Sequence, residues 1–133
     1  MNRIYAAMQE KANDEKMDLN DYAALCHGVA KERGWWSNLD GTPKERNKGE
    51  LLLLIISEIV EAGEGLRKDL NDDKLPHRKM VEVELADTLI RLFDFAGGYG
   101  LDLEGAFREK LEYNRNREDH DPVNRAKAGG KAW

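Results

Sequence analysis

Six acidic residues interrupt two of the most apolar stretches of this 133-residue chain: Glu58, Glu61 and Glu64 in the first, then Glu82, Glu84 and Asp87 in the second. On a helix, residues three apart share a face, so Glu58 pairs with Glu61 and Glu84 with Asp87. Two facing helices would bring the pairs together. Carboxylates so placed repel one another by roughly 3 kcal/mol per pair at ~5 Å and an effective dielectric of about 20, and desolvation adds several kcal/mol for each. A divalent cation offsets both costs, and an all-oxygen donor set selects a hard ion, Mg²⁺ or its substitute Mn²⁺. A di-iron bundle would require Glu-x-x-His on two helices, and no Glu stands three residues before His27, His77 or His120. Glu82 falls on a different face from Glu84, and Glu64 sits a turn beyond Glu61 as an outer partner. The competing reading of such pairs is a solvated helix face making surface ion pairs.

The elements that must carry these residues read as helices. Sixteen Leu stand against five Val, five Ile and two Thr, and no run alternates apolar and polar residues over a strand length. The pattern predicts an all-α fold. One helix is expected from Asn20 to Arg33, capped by Asn20 or Asp21 and closed by Gly34, and a weaker one precedes it over 3–16. A loop with Trp35, Trp36 and Pro43 follows. Further helices are expected over 48–68, over 77–95 with Gly97, Gly98 and Gly100 as its stop, and over 103–118 behind an Asp102 cap. Residues 119–133 read as an extended tail. Four helices with short connections make a four-helix-bundle-like arrangement, in a single domain over 1–133 that comprises an N-terminal helical region (1–33), the site-bearing helices (34–118) and the tail. Leu51 to Ile56, Ile59 and Val60 cover nearly the whole circumference of their helix, and 81–95 is similarly rich, so a homodimer or a tetramer is expected.

Lys110, Asn114 and Arg117 follow at spacings of four and three and are expected on one face of the last helix, where they can clamp phosphate or merely form a basic helix end. Trp35 and Trp36 offer one stacking surface for a base, or pack the end of the bundle. His27 reads as a helix histidine with a structural partner.

With these residues in place, Glu58-x-x-Glu61, a spacer of twenty-two residues and Glu84-x-x-Asp87 resemble the metal-binding signature of the MazG-like all-α nucleoside triphosphate pyrophosphohydrolases. Ser57-Glu58-Ile59-Val60-Glu61-Ala62 and Glu84-Leu85-Ala86-Asp87 carry the likeness, and Lys110 to Arg117 resembles the Lys-x-x-Tyr-Asn-x-x-Arg stretch that follows in the family. The closing Gly129-Gly130-Lys131 is similar to the tail of its phage and mobile-element members, although Glu118 to Ala128 intervenes. The likeness spans residue 34 onward. It implies a MazG-type fold and Mg²⁺-dependent hydrolysis of a (deoxy)nucleoside triphosphate to the monophosphate and pyrophosphate, in the house-cleaning of nucleotide pools. Glu58, Glu61, Glu84 and Asp87 would hold the metal, Glu61 would be the base, and Lys110, Asn114 and Arg117 would contact phosphate. Two alternatives stay open: a pyrophosphohydrolase for another phosphoanhydride, and a non-catalytic helical interaction protein.

Bulk properties narrow the classes further. A net charge of -5 argues against a general nucleic-acid binder. The longest apolar run, Leu51 to Ile56, is far short of the roughly 20 residues a bilayer requires. With no apolar leader after Met1, a cytoplasmic location is expected. The single Cys26 makes no internal disulfide, and neither Gly49 nor Gly130 stands in a P-loop context.

Overall fold

The computed structural model describes Arg3, Ala6, Glu10 and residues 16–131. These residues are all-helical as the composition predicts: no strand occurs among them, only isolated bridges pairing Ser37 with Pro43 and Asn71 with Lys79. They form two compact units, one ending at Leu101 and the other beginning at Asp102. The helix expected over 3–16 lies largely outside the described residues. No described helix is long and apolar enough to cross a membrane.

The first unit holds α1 (Leu19–Glu32), α2 (Lys48–Arg67) and α3 (Met80–Gly98). Helix α1 starts slightly earlier than the sequence suggests, because Asp18 and not Asn20 or Asp21 is its cap. The Asp18 side chain accepts from the Asp21 amide at 2.8 Å, and Asp21 accepts from the Asp18 amide at 3.0 Å. This reciprocal box satisfies two of the backbone donors that a helix start leaves free. At the other end Gly34, with φ +81°, makes the left-handed turn expected of it. Helix α2 is capped by Asn47, whose side chain accepts from the Glu50 amide at 3.1 Å.

Between α2 and α3 the chain is held by a buried carboxylate. Asp72 Oδ2 accepts from the amides of Lys74 at 2.9 Å and Leu75 at 2.7 Å, and the Asp72 amide donates to the Arg78 carbonyl at 3.0 Å. This closed turn and the bridge at Lys79 take up the residues from His77 that were expected to begin α3, which therefore starts at Met80. Its end also differs, since Gly97 and Gly98 are helical and only Gly100, at φ +62°, breaks the element. The two glycines admit neighbours. A Cβ at Gly97 would lie 2.7 Å from His27 Cβ, and one at Gly98 would lie 2.7 Å from the Trp36 ring. Glycine's absence of a side chain, rather than its backbone freedom, is what this turn uses.

Both α1 and α2 pack on α3, which is thus the central helix of the unit. The fully covered apolar residues are small, Ala23, Ala62 and Ala96, so the backbones approach closely where they meet. The larger apolar residues expected to be covered on more than one side stand open in the single chain: Leu53, Ile56 and Val60 on α2 are 56–65% exposed, and Leu85 and Leu89 on α3 are about half exposed.

The second unit comprises α4 (Leu103–Arg115), a 3-10 turn at Glu118–His120 and α5 (Pro122–Arg125). Asp102 caps α4 as anticipated, accepting from the Gly105 amide at 2.9 Å. Residues expected to be an extended tail include a turn of helix, because Asp121 caps the amides of Val123 and Asn124 and Pro122 fills the first position, where its missing N–H costs nothing.

Candidate metal centre

Helix α2 carries Glu58 inward and α3 carries Glu84 and Asp87 to meet it. Glu58 and Glu84 are buried, Asp87 is half-buried, and one carboxylate oxygen from each lies within 4.8 Å of the others. Three of the four residues picked out by spacing are therefore brought together. Glu61 is exposed and stands outside this trio, yet its charge is felt by both Glu84 and Asp87.

The trio is electrostatically loaded. Burial, a hydrogen bond with Glu58 and the charges of Glu61, Glu58 and Asp87 push the Glu84 carboxyl up to about 7. Asp87 is also raised, first by burial and then by Glu58, with Asp72 and Glu61 adding to the effect and Arg91 opposing it. A hydrogen bond between two carboxyls needs a proton, which is why the contact with Glu58 contributes to raising Glu84. Arg91 relieves part of the repulsion, its Nε donating to Glu58 Oε1.

Arg91 and Asp72 escaped the sequence reading for different reasons. Arg91 follows Asp87 by one helical turn and was discoverable from that spacing. Asp72 belongs to a connector, and only the turn it closes places its charge near Asp87.

A cleft of about 550 Å³ adjoins the trio, bounded by α1, α2 and α3 and lined by Glu58 and Asp87 together with Arg33, Arg46, Arg91 and Trp35. Its remaining wall is largely apolar, with Leu25, Val29, Leu51, Leu54, Ile90 and Phe95. Size and lining match a small-molecule site that fixes a ligand through a few polar groups. Of the two tryptophans, Trp35 is 64% exposed and lines this cleft. Trp36 is committed elsewhere: its Nε1 donates to Asp94 Oδ1 at 2.9 Å, and its ring meets His27 edge-on at 4.9 Å and Tyr99 at 5.7 Å. Arg46 ties this loop down, donating to the Trp35 carbonyl at 2.8 Å with its guanidinium over the Trp36 ring. His27 has the structural partner expected of it, Asp94, at 2.9 Å. Cys26 borders the cleft with its thiol pushed up by burial and by the charge of Asp94, the opposite of what a reactive thiolate needs.

Lys110, Asn114 and Arg117 lie in the second unit. Helix α4 ends at Arg115, so the single helical face expected for all three holds for Lys110 and Asn114 but not for Arg117, which follows the cap residue Asn116. Lys110 and Arg117 flank the Tyr113 ring, at 4.6 and 5.7 Å from its centre. Arg117 makes a two-pronged bond to Asp119, at 2.8 and 2.5 Å, which holds the Asp119 carboxyl below the usual range. Lys131 is 3.9 Å from the same carboxylate. Asn114 Oδ1 is buried and has no hydrogen-bond partner among the described residues.

Fold and site together define an all-helical protein with a three-carboxylate cluster beside an arginine-lined cleft. No protein-family model, curated protein or solved structure matches the chain.

Proposed function

We propose that the chain is a MazG-like, Mg²⁺-dependent nucleotide pyrophosphohydrolase that cleaves (deoxy)nucleoside triphosphates to the monophosphate and pyrophosphate and so clears the cytoplasmic pool. The observation that carries this reading is the meeting of Glu58, Glu84 and Asp87 at a cleft that also holds three arginines and an exposed tryptophan. Three oxygen donors, two of them buried and one pushed up by burial and by its carboxylate neighbours, fit a hard divalent cation. When bound there, such an ion polarises phosphate oxygens and stabilises the charge that develops on them.

The chain's own groups complete the chemistry. Arg33, Arg46 and Arg91 place fixed positive charge in the cleft for a polyphosphate. Trp35 presents an open aromatic face for a base. Glu61, outside the trio and in contact with water, is suited to orient or deprotonate the attacking water. The family resemblance adds Lys110, Asn114 and Arg117 as phosphate contacts.

Chromatographic resolution of products from a panel of canonical and modified (d)NTPs tests the reading. Mg²⁺-dependent release of monophosphate and pyrophosphate is the expected result. Release of single phosphate with diphosphate left behind means that another bond is cut, and no release from any nucleotide by folded, Mg²⁺-supplied protein rejects the assignment in favour of a non-catalytic helical partner.

The same reading includes a homodimer, or a tetramer built from two such dimers, in which a second copy covers the open leucines and isoleucines of α2 and α3. Single scattered apolar residues need no cover, but two neighbouring helices with several each do. Light scattering at micromolar concentration is expected to give at least twice the 15.2 kDa chain mass, and a monodisperse monomer would rule the assembly out.

A further inference from the structure

We propose that Asp94 determines which nucleobase the cleft accepts, selecting bases that present an exocyclic amino group. The inference rests on the nucleotide reading above and goes beyond it in naming the substrate class.

Asp94 and Asp87 both line the cleft. They are seven residues apart on α3, hence on the same face and about 10 Å apart along the axis. That separation suits a ligand whose phosphate end lies by Asp87 and whose base lies by Asp94, with a sugar between them. The opposite orientation would set a polyphosphate against the Asp94 carboxylate.

The two oxygens of Asp94 are not equivalent. Oδ1 receives Trp36 Nε1 at 2.9 Å and His27 Nδ1 at 2.9 Å. An ionised carboxylate only accepts, so the His27 Nδ1 carries the proton in this pair. Both donors are closely packed, His27 against Gly97 and Trp36 against Gly98, and together they orient the carboxylate through Oδ1. Oδ2 has no partner among the described residues and is not sealed from solvent, while the side chain as a whole is only 19% exposed. An oriented, half-buried acceptor is thus left beside the apolar residues Leu25, Ile90 and Phe95.

Covering that oxygen with a ligand is unfavourable unless the ligand supplies an N–H. The amino groups of cytosine, adenine and guanine do so. Uracil and thymine offer only a ring N–H flanked by two carbonyl oxygens, which meet the carboxylate with repulsion. Carboxylate acceptance from the cytosine amino group is an established pairing in base recognition.

Calorimetric titration of CMP, AMP, GMP, UMP and TMP into the full chain with Mg²⁺ tests the inference without requiring turnover. The wild type is expected to bind the amino-bearing monophosphates roughly tenfold more tightly. In Asp94→Asn the amide oxygen must stay with Trp36, so its NH₂ replaces Oδ2 in the cleft and turns the acceptor into a donor. The preference is then expected to reverse towards UMP and TMP, a change that loss of packing alone would not produce. Equal wild-type affinity for all five overturns the role of Asp94 and leaves the nucleotide reading intact, as does an Asp94→Asn variant that weakens all five alike. Failure of folded wild type to bind any of them overturns both.

Discussion

Asp87→Asn is expected to lower Mg²⁺-dependent pyrophosphate release on the order of 10²–10³-fold while making the metal-free protein more stable at neutral pH. The opposite signs follow from one cause. The Asp87 carboxyl is raised by burial and by the charges of Glu58, Asp72 and Glu61, with only Arg91 opposing, so its ionised form is disfavoured by the fold. An amide of the same shape relieves that cost, but it offers a cation one neutral oxygen in place of a charged one. Glu61→Gln is expected to reduce turnover without comparable stabilisation, because Glu61 is already exposed to water. Product release and thermal melting by circular dichroism, with EDTA present in the melts, measure the two effects. Wild-type turnover in Asp87→Asn would remove this residue from the site. Lost turnover with a lower melting temperature would mean that the carboxylate serves the fold instead.

The second large effect is on pH. Glu84 is pushed from the ordinary 4.5 up to about 7 in the folded protein, so between these values the folded state binds more protons than the unfolded one. By linkage, the stabilisation is fully present below about 4.5 and is lost as pH rises through about 7. With solvent screening allowed for, the loss is on the order of 2 kcal/mol. Asp87, also raised, adds in the same direction. Melts in EDTA from pH 5 to pH 8 are therefore expected to show a falling stability contribution from this cluster. Glu84→Gln, which carries no titrating group there, isolates that contribution by its flatter profile. Mg²⁺ is expected to oppose the loss increasingly as pH rises, since binding must release the proton and the apparent affinity grows until Glu84 is ionised. Identical pH profiles for wild type and Glu84→Gln would show that Glu84 does not hold the proton.

Much of this site was legible in the sequence, because three-residue spacing on a helix is a local property. Once Leu-rich stretches are read as helices, Glu58 with Glu61 and Glu84 with Asp87 are neighbours by geometry alone, and Gly34 and Asp102 mark ends through backbone chemistry that acts within a few residues. The asymmetry within the pairs was not legible. Spacing treats Glu58 and Glu61 alike, whereas the approach of α3 buries the first and leaves the second in water. The same holds for the adjacent tryptophans, one on the cleft and the other bound to Asp94. Gly97 and Gly98 misled as stop signals, since glycine's local meaning is a helix end and its meaning here is room for α1 and for Trp36.

What the sequence determined by itself was the helical class, the helix ends at Gly34 and Asp102 and the acidic pairs, all set by interactions within about one turn of the chain. What only the tertiary structure decided was which carboxylates share one space, that Arg91 and Asp72 join them, and that Asp94 meets His27 and Trp36 beside the cleft. Those properties depend on long-range packing, because a carboxylate's protonation and partners are governed by the dielectric and the charges around it, and these come from segments far away in sequence.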